Sequence, residues 1–93
     1  MIEREGDRLV VKVPLIMANA RDLLDAGRAA LGPGDCIFDF SEVTEADSSA
    51  IAVMLAWLRA AAVQRSTIKF ARIPAGVLSL AELYGVNDLL PLA

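Results

Sequence analysis

The residues of this chain best placed to do chemistry are Asp47-Ser48-Ser49, where a polar loop runs into a long apolar segment. A serine nucleophile needs a base to take its proton, and the sequence has no histidine. A Ser–Lys pair is the formal substitute. However, Lys12 and Lys69 fall within predicted strands, and nothing ties either to Ser48. Two other uses remain open. Asp and Ser accept hydrogen bonds from the free N–H groups of a helix's first turn, so Asp47 reads as an N-cap followed by two small helix-starting residues. The same junction also reads as a contact point or a switch. A helix N-terminus carries about half a positive charge and unpaired donors, so an anion there, including a phosphate on Ser48, is stabilised.

The segment after this junction is apolar on every side for two turns, from Ile51 to Leu58. One face must pack on a sheet, and the other must meet something else or stand in water. Ile51, Met54, Leu55 and Leu58 form one stripe. Ala50, Val53 and Trp57 form a second, with Ala56 at its edge. Tryptophan is enriched at interface hot spots, so the second stripe is the candidate docking face. The competing reading folds Trp57 into a crowded core. The candidate partner-binding residues are thus Asp47, Ser48, Ser49, Ala50, Val53 and Trp57, with Ser48 the candidate phosphorylation site.

The elements that must position these residues are short. Ile2–Arg4 and Arg8–Val13 read as a hairpin around Glu5-Gly6-Asp7, with the second strand ending before Pro14. Ala18–Leu31 reads as a helix, stopped by Gly32-Pro33-Gly34. Ile16 stands where a polar cap is expected, which leaves Asn19 as the candidate cap. Cys36–Phe40 is a mostly apolar strand, Ser41–Ala46 a polar loop, and Ser49–Gln64 the apolar helix. Thr67–Ala71 is a further strand and Ala75–Tyr84 a third helix, capped by Gly85. Val86–Ala93 is an apolar tail with a last helical turn. The alternation of strand and helix predicts parallel neighbours, with the opening hairpin as an antiparallel edge.

Composition narrows the function. Ninety-three residues make one small domain, and 56% of them are apolar, enough for a core and too many for disorder. Net charge is −3, with nine basic and twelve acidic residues and no basic cluster, which argues against nucleic acid. The single cysteine, Cys36, allows no intramolecular disulfide, fits a reducing cytosol and reads as a small buried residue. The charged N-terminus has no signal-peptide pattern, and no apolar run approaches the roughly 20 residues of a membrane span. With no histidine, no metal-ligand cluster and no glycine-rich phosphate loop, neither cofactor nor metal is expected, and binding is favoured over catalysis.

Two stretches carry a resemblance to a known family. Ile37-Phe38-Asp39-Phe40 leads through Ser41 and Val43 to Asp47-Ser48-Ser49-Ala50-Ile51-Ala52 and Leu55-Ala56-Trp57. Leu80-Ala81-Glu82-Leu83-Tyr84-Gly85-Val86 runs on to Leu89-Leu90-Pro91. Over nearly its whole length the chain resembles a STAS domain, most similar to the MlaB-type subunits of the Mla phospholipid-transport ABC complex. The resemblance implies an α/β, SpoIIaa-like fold, with a mixed four- to five-stranded sheet flanked by helices. It implies a non-catalytic cytoplasmic subunit that binds an MlaF-type ATPase of an ABC transporter serving outer-membrane lipid asymmetry, and that meets the membrane only through the complex. The family's functional hydroxyl maps onto Ser48. In the anti-sigma-factor antagonist branch the matching serine is phosphorylated by a partner kinase, which is the alternative partner here. That branch often has glycine after Asp-Ser-Ser. Ala50 stands there in this chain and favours the transporter branch.

Overall fold

The computed structural model describes residues 1–93 and opens with the hairpin. Strand β1 (Ile2–Glu5) pairs antiparallel with β2 (Arg8–Val11), Ile2 opposite Val11 and Glu5 opposite Arg8. Gly6 makes the turn at φ 67, a left-handed conformation that glycine adopts without steric cost. Helix α1 (Met17–Ala30), β3 (Gly34–Asp39), α2 (Ser49–Val63), β4 (Ser66–Ala71) and α3 (Ala75–Leu83) follow, then a 3₁₀ turn at Asn87–Leu89. The sheet order is β1-β2-β3-β4. The β2–β3 and β3–β4 pairs are parallel, so each needs a crossover, and α1 and α2 supply them. Leu92 adds a single parallel bridge to Phe70 beyond β4. No helix is long and apolar enough to cross a membrane.

Register builds the core. Leu9, Phe38 and Phe70 stand side by side across the sheet, and each is at most 1% exposed. The two-residue strand period adds Val11 and Phe40 to the same face, and the Trp57 ring covers it, with its centroid 4.3 Å from that of Phe38 and 6.4 Å from that of Phe40. The alternate face is largely polar, apart from the buried Val10 and Ala71. There Arg8 pairs with Asp39 at 2.9 Å, while Lys12 reaches Glu42 at 2.7 Å and Glu3 at 3.2 Å.

Boundaries shift modestly from the sequence reading. Strand β2 ends at Val11 rather than Val13, because the chain turns off the sheet so that Leu15 can bridge to Ala46. Strand β3 starts two residues early, at Gly34, whose φ of 98 continues the turn out of α1. Gly85 closes α3 as expected. At φ 71 it lets its own N–H reach Glu82 O and the Val86 N–H reach Ala81 O, the paired bonds of a Schellman cap.

One expectation is overturned. The Ala50, Val53 and Trp57 stripe does not face outward: these residues are 0%, 5% and 0% exposed. The physical reason is that α2 is enclosed on three sides. The sheet lies beneath it, α1 lies along one flank, and α3 touches the other. A helix so placed must be apolar almost all round, whether or not a partner exists. Its open strip is instead Ser48, Ala52, Arg59 and Val63. Replacing Trp57 with alanine would cost ~3–5 kcal/mol, a large share of a small domain's stability, and would test folding rather than docking.

The indole is locked from above by α1. Its Nε1–H donates to Leu23 O at 3.2 Å and Leu24 O at 3.3 Å. A Cβ added at Gly27 would lie 2.1 Å from that nitrogen. Gly27→Ala is therefore expected to destabilise the domain by ~3 kcal/mol through overpacking, although alanine is the better helix former. Urea unfolding followed by Trp57 fluorescence measures this, and a loss below ~1 kcal/mol would show that α1 yields freely.

Candidate partner-binding site

The site is built where two helices begin at one carboxylate. Leu15 and the loop before α2 form a short backbone clasp: Leu15 N donates to Glu45 O, and Asp47 N donates to Leu15 O, each at 2.9 Å. This places Asp47 between both helix starts. Its Oδ2 accepts the Met17 N–H at 3.0 Å, in the first turn of α1. Its Oδ1 accepts the Ser49 N–H at 2.9 Å and the Ser49 hydroxyl at 2.5 Å. One negative charge thus satisfies the positive ends of two helices. These bonds, first that from the Ser49 hydroxyl and then those from the Met17 and Ser49 N–H groups, hold the Asp47 carboxyl below the usual carboxylate range.

Asp47 caps α2 as its type and position suggest. It also caps α1, which sequence reasoning missed, because the acceptor and Met17 N lie thirty positions apart. Asn19, the expected cap, does something else: its Nδ2 donates to Pro14 O at 3.0 Å and ties down the chain before the helix. Ile16, at the N-cap position of α1, makes no side-chain capping bond.

The six sequence-predicted residues separate. Ser48 is exposed in helical geometry, with φ −63 and ψ −18. Asp47 is half-buried and Ser49 buried, both engaged in the capping. Ala50, Val53 and Trp57 lie in the core and support the surface from beneath. From Ser48 an open groove of about 510 Å³ runs between α1 and α2, lined by Met17 and Ala20 of α1 and by Ala52 of α2, with the buried Val53 reaching its base. Arg21 and Arg59 also line it. Ala52 and Arg59 share the Ser48 face of α2 at helical spacing. That signal was present in the sequence but was masked by the more conspicuous tryptophan.

The junction supplies no free base beside Ser48. The only carboxylate bonded into the junction already accepts three hydrogen bonds and is a weaker base than an ordinary one, so Ser48 has no general base there. Cys36 is half-buried, and desolvation raises its thiol pKa, which keeps the reactive thiolate scarce.

The family model described as "Mlab, STAS domain" matches residues 2–91. The chain belongs to this STAS domain family. Among solved structures, the STAS domain resembles an anti-sigma-factor antagonist (STAS) domain protein from Planctomyces limnophilus. The TM-score is 0.73 at 12% identity, with 99% of this chain and 86% of that one covered. It also resembles a putative anti-sigma factor antagonist from Thermotoga maritima, with a TM-score of 0.69 at 14% identity and with 99% and 83% covered. At these identities the likeness is one of fold. No curated protein matches the STAS domain.

Because Asp47 holds both helix starts of this STAS domain, Asp47→Ala is expected to lower the melting temperature at pH 7 by roughly 5 °C or more. The sign with pH follows from the lowered carboxyl pKa. The stabilisation is present above the unfolded carboxyl pKa of about 3.9 and is lost as pH falls through the lower folded value. Thermal scans of both proteins from pH 7 downward should show the gap narrowing once the pH is below about 4. A gap that widens on acidification would contradict the capping role.

Proposed function

We propose that this STAS domain is a non-catalytic regulatory or assembly subunit of an ABC-type phospholipid transporter, docking on the ATPase subunit through the surface headed by Ser48. The observation that supports this reading is an exposed, chemically unactivated hydroxyl on a junction pinned by Asp47, at the head of an open groove. It lies in a chain matched by the MlaB-type family model over residues 2–91. In this reading the domain works in the cytoplasm and meets the membrane only through its complex. The contact surface is the strip of Ser48, Ala52 and Arg59, with Asp47 and Ser49 holding it and Ala50, Val53 and Trp57 beneath.

A second reading is supported by the two solved relatives, both described as anti-sigma factor antagonists. In that reading the partner is an anti-sigma-factor kinase, and phosphorylation of Ser48 breaks the contact.

Affinity purification of the tagged full chain with its native ATPase partner tests the first reading. Ser48→Glu should fold normally, since an acidic residue suits a helix's first turn, and should reduce recovery of the ATPase by about tenfold. Tyr84→Ala, at an exposed site on the end of α3, should leave recovery unchanged. Full recovery with Ser48→Glu would remove Ser48 from the interface. Incubation with a cognate kinase and ATP, followed by intact mass measurement, tests the second reading, which requires a phosphate on Ser48.

A further inference from the structure

The groove between α1 and α2 has a chemistry that specifies its occupant. A second hollow of about 300 Å³ continues it along α2, lined by Arg28, Ala60, Val63 and Gln64 and sharing Ala56 and Arg59 with the first. Together the two linings contain three arginines and no aspartate or glutamate, in a chain whose net charge is −3. Arg21 makes only a loose, exposed pair with Asp25 at 3.4 Å. Arg28 and Arg59 pair with no acid. The floor is made of small side chains, Ala20, Ala52 and Ala56, which let another backbone approach closely.

We propose that this groove seats one acidic amphipathic helix of the partner protein, its apolar ridge on the alanine floor and its carboxylates on Arg21, Arg28 and Arg59. The proposal rests on the docking reading above and adds the partner's secondary structure, charge and length. Two parallel features favour a helix over an extended strand. The walls are themselves helices, whose ridges and grooves accept another helix, and neither is a sheet edge that could pair with a strand. From Ser48 to Gln64 the trough follows roughly 24 Å of helix, which matches about 16 residues of helical partner but only about 7 of extended chain.

The test uses the full chain in its native complex. A photo-crosslinking amino acid is placed at Met17, exposed at the Ser48 end of the groove, or at Gln64, exposed at the far end. Adducts are mapped by mass spectrometry. The expected result is that both positions label one acidic segment, at sites about four helical turns apart. Labels about 7 residues apart, on two separate segments, on a segment without acidic residues, or on lipid alone would each overturn the proposal. In parallel, the affinity of the complex is measured for R21E/R28E/R59E and for R21K/R28K/R59K, with folding confirmed by Trp57 emission. Charge reversal should weaken binding about tenfold or more, and by less at high salt, while the lysine variant stays close to wild type. An unchanged affinity on reversal would overturn the proposal. If the labelled protein is not a transporter ATPase, the transporter reading fails, while spacing and charge still judge the groove.

Discussion

The distance between α1 and α2 is set where Gly27 meets the Trp57 indole, and much of the rest of the molecule depends on that distance. Two phenylalanines of β3 and its exit hold the ring from below, and the α1 backbone closes on it from above. The absence of a side chain at Gly27 lets Leu23 and Leu24 offer carbonyl oxygens to the indole N–H, so this buried polar atom has its partner. The contact lies in the last turn of α1 and just past the middle of α2. At their beginnings Asp47 provides the second pin. With two fixed points, the helices cannot splay or slide easily, and the groove between them keeps its shape before any partner arrives. A preformed surface spends little conformational entropy on binding.

The electrostatics of the junction follow from the same arrangement. Asp47 takes up the positive ends of two helices and leaves Ser48 as an exposed neutral hydroxyl beside a satisfied charge. That neutrality gives the hydroxyl its use in either functional reading. A partner can pack against it without desolvating an ion, and a phosphate added there would put two negative charges beside an existing carboxylate, turning a neutral contact into a repulsive one for an acidic partner. The arginines along the groove have the opposite sign and, in the proposed docking, would attract acidic surface. The surface thus carries attraction along its length and sensitivity at one end.

Most of the fold was legible because its determinants are local. The hairpin turn at Gly6, the stop after α1, the cap of α2 at Asp47 and the Schellman closure at Gly85 each depend on residues within a few positions of one another. The cap of α1 was not legible, since its acceptor comes from a loop beyond the next strand and Ile16 offers no hint of it. Trp57 was misplaced for a different reason. Periodicity shows which sides of a helix are apolar, but it does not say whether an apolar side meets another chain or another part of the same one. Gly27 held part of the missing information: a glycine within an apolar helical stripe, where alanine is more stable, points to a close approach by a bulky side chain, which the structure shows to be Trp57.

The same logic explains why the open strip of α2 looks so unremarkable in sequence. An exposed stripe of large apolar residues on a small domain invites nonspecific association. Ala20 of α1 with Ala52 and Ala56 of α2 instead leave a shallow concavity with no large apolar side chain standing out from it. Small residues contribute little burial on their own, so affinity must come from the side chains the partner inserts and from charges placed along the walls. Enlarging Ala52 would fill the trough while leaving the core untouched, since Ala52 is exposed whereas its neighbours Ile51 and Val53 are buried. The core face and the open face of α2 are therefore adjacent but distinct, and a substitution on the open face can be read without disturbing the core.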